Sequence, residues 1–146
     1  MENISSSAAA PFPAANSVGK KILTGRILSG IAVLFMLFDS ITKITEAPQV
    51  IKASVKLGYP ASTVQVIGII LLILIILYVI PRTSIFGAIL LTGYLGGAVA
   101  SNLRIMNPLF SSTLFPVYFA IILLGGIYLR DDLIREFIPF RKETDK

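Results

Sequence analysis

The sequence predicts an all-α integral membrane protein, a four-transmembrane-helix bundle with a short interfacial helix between the first and second spans. Three observations carry that expectation. The 146-residue chain is 55% hydrophobic and 14% charged, with a mean hydropathy of +0.83, whereas a soluble domain carries about 25% charged residues to keep its surface wet. It holds four apolar runs in series, each about the length needed to cross a hydrocarbon core. Those runs are continuously apolar instead of alternating, and about twice as long as a tilted barrel strand requires. In lipid a helix satisfies its own backbone groups, so helices are expected.

Taken in order, residues 1–19 mix Ser, Ala and Asn with two prolines and no apolar periodicity. This reads as a disordered lead, and it lacks the basic stretch and apolar core of a secretory signal. The first span covers about residues 25–43 and contains Asp39. Residues 45–60, TEAPQVIKASVKLGYP, interleave Val50, Ile51, Val55 and Leu57 with Lys52 and Lys56. That pattern predicts a short helix lying in the interface with lysine stems reaching headgroups; a structured loop is the alternative. The second span, 63–80, is the most apolar, and the third, 83–103, holds no charge. Pro81-Arg82-Thr83-Ser84 joins them as a tight hairpin, since Pro81 cannot continue a helix and Thr83 or Ser84 can cap the next. The fourth span covers about 114–129. At ~1.5 Å per residue, the runs reach roughly 24–32 Å against about 30 Å of hydrocarbon. The first and fourth therefore need flanking residues such as Ile22, Leu23 and Phe110. Residues 142–146 form a charged tail.

Four spans put both termini on one side. That side carries Lys20, Lys21, Arg26, Arg82, Arg130, Arg135, Arg141, Lys142 and Lys146, and the other carries Lys43, Lys52, Lys56 and Arg104. The positive-inside rule then predicts cytoplasmic termini. These charges flank spans and form no basic patch with interleaved aromatics, so a nucleic-acid partner is not expected. The partner is the lipid bilayer.

The chain has no Cys and no His. That excludes a disulfide framework and thiolate centres, and it removes the commonest metal and haem ligand and the usual neutral-pH proton shuttle. No HExxH, Gly-x-Ser-x-Gly, P-loop or paired catalytic acids occur, and Gly93-Tyr94-Leu95-Gly96-Gly97 sits inside a span, not between strand and helix. Accordingly no catalytic residue, metal site or cofactor is expected, and an enzyme is the less favoured class.

Polar residues collect at one end of the predicted bundle. Asp39, Lys43, Gln65, Tyr94, Asn102 and Arg104 are the candidate lining of an outward pocket for a small solute or the head of a lipid or quinone. An acid within a span is costly and invites a partner. Lys43 stands at i+4 in the favourable acid-first order. Arg104 is the other candidate if the first and third spans are neighbours. The plainer alternative is an interfacial Asp39–Lys43 ion pair with Asn102 at a mere helix end. Gly93, Gly97 and Ser101 recur every four residues among other small residues, predicting close helix packing within the bundle, with Gly125-Gly126 as the matching surface; a homodimer contact is the alternative.

Several pieces of the chain resemble the DoxX-like family of small bacterial four-helix membrane proteins. They are Phe38-Asp39-Ser40-Ile41-Thr42-Lys43, the Leu57-Gly58-Tyr59-Pro60 turn, LYVIPRTSIFGAILLTGYLGGAVASNLR over 77–104, Asn107-Pro108-Leu109-Phe110, Leu114-Phe115-Pro116-Val117-Tyr118, and GIYLRDDLIREFIPFR over 125–141. The resemblance implies a four-span bundle in the bacterial cytoplasmic membrane. The family name comes from a small subunit associated with a thiosulfate:quinone oxidoreductase, so a quinone or a redox protein subunit is the implied partner. Similar members often carry His where Asn102 stands and Trp near Leu123-Leu124. An amide hydrogen-bonds but does not titrate near neutral pH, which favours binding over proton-coupled chemistry. The expected function is a non-catalytic accessory or binding subunit; the alternative is a small-solute or lipid-binding transporter acting as a dimer.

Overall fold

The computed structural model describes residues 15–131 and Ile134, with side chains from Gly19 onward. These residues are helical or connect helices. They form α1 (Ala15–Ile44), α2 (Pro48–Lys56), α3 (Ala61–Val79), α4 (Ser84–Arg104), a π-helical turn (Leu109–Thr113) and α5 (Phe115–Arg130). Four stretches are long and apolar enough to cross a membrane: Gly19–Ile44, Ala61–Val79, Ser84–Arg104 and Leu109–Arg130. The short helix α2 lies between the first two. In the bundle α1 packs on α3 and α5, α4 packs on the same two helices, and α1 and α4 stand on the diagonal.

The first and fourth spans take in flanking residues, as their short apolar runs require: Gly19–Ile44 includes Ile22 and Leu23, and Leu109–Arg130 includes Phe110. The first helix begins further upstream still, at Ala15. No proline stands between Pro13 and Pro48, and helix propagation adds one hydrogen bond per residue once nucleated. The rest of the expected lead, 1–14, and the charged tail lie outside the described residues. The fourth span gains the π-helical turn, where Leu114 N–H donates to Leu109 O at 2.8 Å and Thr113 N–H to Pro108 O at 3.2 Å. Pro116 has no N–H for the Ser112 carbonyl and its ring would crowd that carbonyl, so a wider turn is accommodated just upstream.

The hairpin also uses its hydroxyls differently. Neither Thr83 nor Ser84 caps α4. Thr83 Oγ1 donates back to Leu77 O at 2.8 Å, and Ser84 Oγ donates to Pro81 O at 3.2 Å. Leu77 O is the acceptor that residue 81 would serve in a continuing helix. Proline cannot donate, so Thr83 replaces the missing bond.

Three helices end in the same way, on the same end of the bundle. At the ends of α1, α2 and α4 the residues Glu46, Gly58 and Met106 have φ of 52°, 87° and 57°. In each case the following N–H reaches back into the last turn: Ala47 to Thr42 O, Tyr59 to Ser54 O, Asn107 to Asn102 O. These are Schellman terminations, in which glycine is the usual left-handed residue. Only Gly58 fits that preference. Met106 is 92% exposed, so Met106→Gly is expected to stabilise the fold by about 1 kcal/mol through relief of left-handed strain, readable as a raised midpoint in detergent unfolding.

Backbone approach is set by four glycines. A Cβ on Gly25 would stand 2.8 Å from both Gly126 O and Leu129 Cβ; one on Gly68 would stand 2.7 Å from Lys43 Cβ and 3.0 Å from Ser40 O; one on Gly87 would stand 2.6 Å from Leu77 C and Tyr78 Cα. Gly126 faces Gly25 and Ser29 across the α1–α5 contact. By contrast, a Cβ on Gly93, Gly96 or Gly97 meets nothing within 4 Å among the described residues. The expected close packing through Gly93 and Gly97 is therefore not made among the described residues, because this stripe faces outward or toward a cavity. Gly126 supplies a close contact as expected of the Gly125-Gly126 pair, but to α1.

The buried core runs through Ala32, Met36, Leu71, Ile75, Tyr78, Ala88, Leu91, Leu95, Leu123 and Ile127. Large apolar side chains such as Leu34, Phe38, Ile89 and Ile121 point outward, as lipid-facing residues do. Tyr78 is the polar pin of this core. Its hydroxyl lies 2.9 Å from Ser29 Oγ and donates to Leu123 O at 3.0 Å, tying α3 to α1 and α5. Tyr78→Phe is expected to cost about 0.6–1.7 kcal/mol, the range for interhelical hydrogen bonds in lipid, measurable by reversible unfolding in mixed micelles.

Candidate functional site

Toward the end of the bundle where α1 and α4 finish and α3 and α5 start, the helices enclose a cavity of about 460 Å³. Ligand sites in proteins fall in the range of roughly 300–1,000 Å³. The α2 segment borders this end. Ser54 is its buried residue, Leu57 also lines the cavity, and Lys52 and Lys56 are exposed. This arrangement follows from sequence, since Ile51, Ser54 and Leu57 recur on one face of a short helix while the lysines fall on the other.

One wall is aromatic. Phe35 of α1 stacks on Phe119 of α5 with ring centroids 4.5 Å apart and 27° between planes. Phe115 meets Phe35 edge-on at 5.5 Å and Phe119 at 5.0 Å. Phe115 and Phe119 are four residues apart on α5, so both rings reach the same neighbour. Met36, Ile67, Ile70 and Leu95 extend the apolar lining.

The polar lining comes from Asp39, Lys43, Tyr94, Tyr59 and Ser54. Asp39 and Lys43 form an ion pair one turn apart, with 37% and 16% of their side chains exposed. Tyr94 lies within electrostatic range of Asp39 and Tyr59, and among the described residues its hydroxyl has no hydrogen-bond partner. An ammonium has three donors, and Lys43 uses one on Asp39. Chemically, the site offers a carboxylate, an ammonium and a phenol beside a flat aromatic wall. It can grip acceptor oxygens on a ring or headgroup while the wall takes the apolar body. Among the described residues no group of three or more His, Cys, Asp or Glu side chains could hold a metal ion.

Of the six residues nominated from sequence, Asp39, Lys43 and Tyr94 line this cavity, and Gln65, Asn102 and Arg104 do not. Gln65 is exposed on α3. Asn102 Nδ2 donates to Ala98 O at 2.9 Å, and its Oδ1 accepts from Asn107 Nδ2 at 2.7 Å, so this amide fastens the end of α4. Arg104 reaches Leu57 O at the end of α2 and has no ion pair with Asp39, because α1 and α4 stand on the diagonal. Ser101 has a different use from helix packing: its Oγ donates to Gly97 O at 2.9 Å and lies 2.6 Å from the Tyr59 hydroxyl. Arg104 and Ser101 thus hold the α2–α3 connection against α4, at the cavity's edge.

Sequence reasoning missed Tyr59 and the three phenylalanines. The signal available for Tyr59 was an aromatic between Gly58 and Pro60, a turn that fixes its side chain. For Phe115 and Phe119 it was the four-residue spacing.

No curated protein and no solved structure was found to match the chain. The model of the DoxX-like family matches residues 27–126, which is more than half of the sequence and runs from within α1 to the Gly125-Gly126 pair. A multi-pass helical bundle with that match establishes one conclusion: the chain belongs to the DoxX-like family.

Proposed function

We propose that this protein is a non-catalytic binding subunit of the membrane, whose cavity holds the head of a lipid-soluble amphiphile of the quinone class for a redox partner. The observation that carries this reading is the juxtaposition of the Phe35–Phe119 stack with Asp39, Lys43 and the Tyr94 hydroxyl, which has no hydrogen-bond partner among the described residues, in one cavity. A flat ring suits the aromatic wall, and carbonyl oxygens suit the Lys43 and Tyr94 donors.

The test is organic extraction of gently purified protein followed by mass spectrometry of the extract. A ring-bearing isoprenoid or similar amphiphile is expected in stoichiometric amount, reduced about fivefold in Tyr94→Phe by loss of one hydrogen bond of roughly 1 kcal/mol. An extract holding only bulk phospholipid, unchanged in Tyr94→Phe, would count against it. The second reading is a dimeric carrier of small solutes or lipids. It is favoured by the open stripe at Gly93, Gly96 and Gly97, where a second helix could approach closely. Cysteine crosslinking at Gly93 in a chain that has no native Cys discriminates the two.

The distribution of Lys and Arg supports cytoplasmic termini, and the membership of a family of small bacterial membrane proteins supports the inner membrane. A C-terminal alkaline phosphatase fusion is expected to be inactive and a C-terminal fluorescent protein fusion to be bright.

A further inference from the structure

At the opposite end of the bundle from the aromatic cavity lies a second one, of about 230 Å³, lined by Arg26, Val79, Pro81, Ser84, Arg130 and Asp131. It is bounded by α1, the end of α3, the hairpin, the start of α4 and the end of α5. Its charged lining is two arginines and one aspartate. Asp131 is engaged in an interaction of its own.

Arg130 is held in place. Its Nη2 donates to Tyr78 O at 3.2 Å, and its Cζ stands 5.1 Å from the centroid of the Tyr78 ring. The ring is itself fixed by the bonds to Ser29 and Leu123. This contact uses one of the five guanidinium donors. Arg26 is exposed and makes no ion pair among the described residues.

The third contribution is backbone. With Thr83 Oγ1 committed to Leu77 O and Ser84 Oγ to Pro81 O, α4 starts without a side-chain cap. Gly87 N–H makes the first bond of that helix, to Thr83 O. Among the described residues the N–H groups of the preceding first turn have no acceptor, which leaves them open to a ligand. A 21-residue helix presents its positive dipole end there. Two arginines and an uncapped helix start converging on one cavity are the chemistry that receives a phosphate.

We propose that this pocket is a phosphate site for the headgroup of an anionic membrane phospholipid. The exposed apolar side chains of Val79 and Ile80 adjoin it, giving acyl chains a surface to run along. The neighbouring Lys20, Lys21 and Arg82 belong to the same end of the bundle and raise the local anion concentration.

The test is native mass spectrometry of the full chain released from mixed micelles, titrated with phosphatidylglycerol, phosphatidylcholine or inorganic phosphate. Phosphatidylglycerol is expected to be retained in preference to phosphatidylcholine. Arg26→Gln is expected to lower its retention about tenfold, the worth of a hydrogen bond between the guanidinium and a charged phosphate. Lys21→Gln, which removes the same charge outside the pocket, is expected to lower retention by much less, through the weaker surface potential alone. Equal retention of the two lipids, or equal loss in Arg26→Gln and Lys21→Gln, would overturn the site, because charge alone would then account for the binding. Inorganic phosphate that binds as tightly as phosphatidylglycerol and displaces it would overturn the lipid assignment. Arg26 is exposed, so its variant is expected to fold; an unchanged unfolding midpoint establishes that separately.

Discussion

Gly87→Ala is expected to destabilise the bundle by about 1–3 kcal/mol, the cost of overpacking a close contact. The added methyl would stand 2.6 Å from Leu77 C and Tyr78 Cα. Those atoms are backbone of α3, so no side chain can turn aside to make room. Relief requires α3 and α4 to separate, which loosens Tyr78 and its hydrogen bonds to two further helices. Gly93→Ala and Gly96→Ala are the matched controls. Among the described residues their methyl groups meet nothing within 4 Å, and Ala exceeds Gly in helix stability by roughly 0.5–1 kcal/mol. The same substitution on one helix is thus expected to act in opposite directions, read as unfolding midpoints in one micelle system. Destabilisation by Gly93→Ala of the same size as Gly87→Ala would mean that the outer stripe is packed in solution, as the dimeric reading requires.

The second large effect concerns the cavity. Ala98→Phe is expected to abolish amphiphile binding, by tenfold or more (about 1.4 kcal/mol), with little loss of stability. Ala98 lines the aromatic cavity and is half-buried on α4. A phenyl group there projects into empty space of about 460 Å³, competing directly with any occupant. The substitution leaves Asp39, Lys43 and Tyr94 in place, so it separates occupancy of the cavity from the chemistry of its lining. Retained binding in a folded Ala98→Phe variant would place the ligand elsewhere.

The helices were legible in sequence because uninterrupted apolar runs of this length fit few structures besides membrane-spanning helices. Their facing was not. In a soluble helix the polar side marks the outside, but lipid and core are both apolar, and α3 reads the same all round. Spacing of small residues was therefore the available guide to packing, and it selected Gly93 and Gly97. The glycines that meet neighbouring backbones within the chain are Gly25, Gly68, Gly87 and Gly126, most of them standing alone among large side chains. Only the approach of a second helix distinguishes them.

The site divides along a similar line. Asp39, Lys43 and Tyr94 were visible because a polar group within a span is expensive and so attracts notice. Asn102 and Arg104 were equally visible, yet their hydrogen-bonding capacity goes to the ends of α4 and α2. At helix termini the unsatisfied backbone groups compete for polar side chains, and sequence does not reveal which demand wins. Tyr59 and the phenylalanine cluster depend on contacts between segments far apart in the chain. The left-handed Glu46 and Met106 were hidden for another reason: glycine is the residue that marks such positions, and neither carries it.

The most direct measurement exploits the absence of Trp from the chain. Phe119→Trp places a single indole in the aromatic wall, and Phe38→Trp places one on the outer face of α1, where Phe38 is 68% exposed. Both proteins are titrated in lipid nanodiscs with a short-tailed benzoquinone, a quencher of indole fluorescence. A quinone head seated in the cavity predicts saturable quenching at position 119, removed by adding Ala98→Phe, and only linear, partition-limited quenching at position 38. Linear quenching at both positions, indifferent to Ala98→Phe, would contradict it.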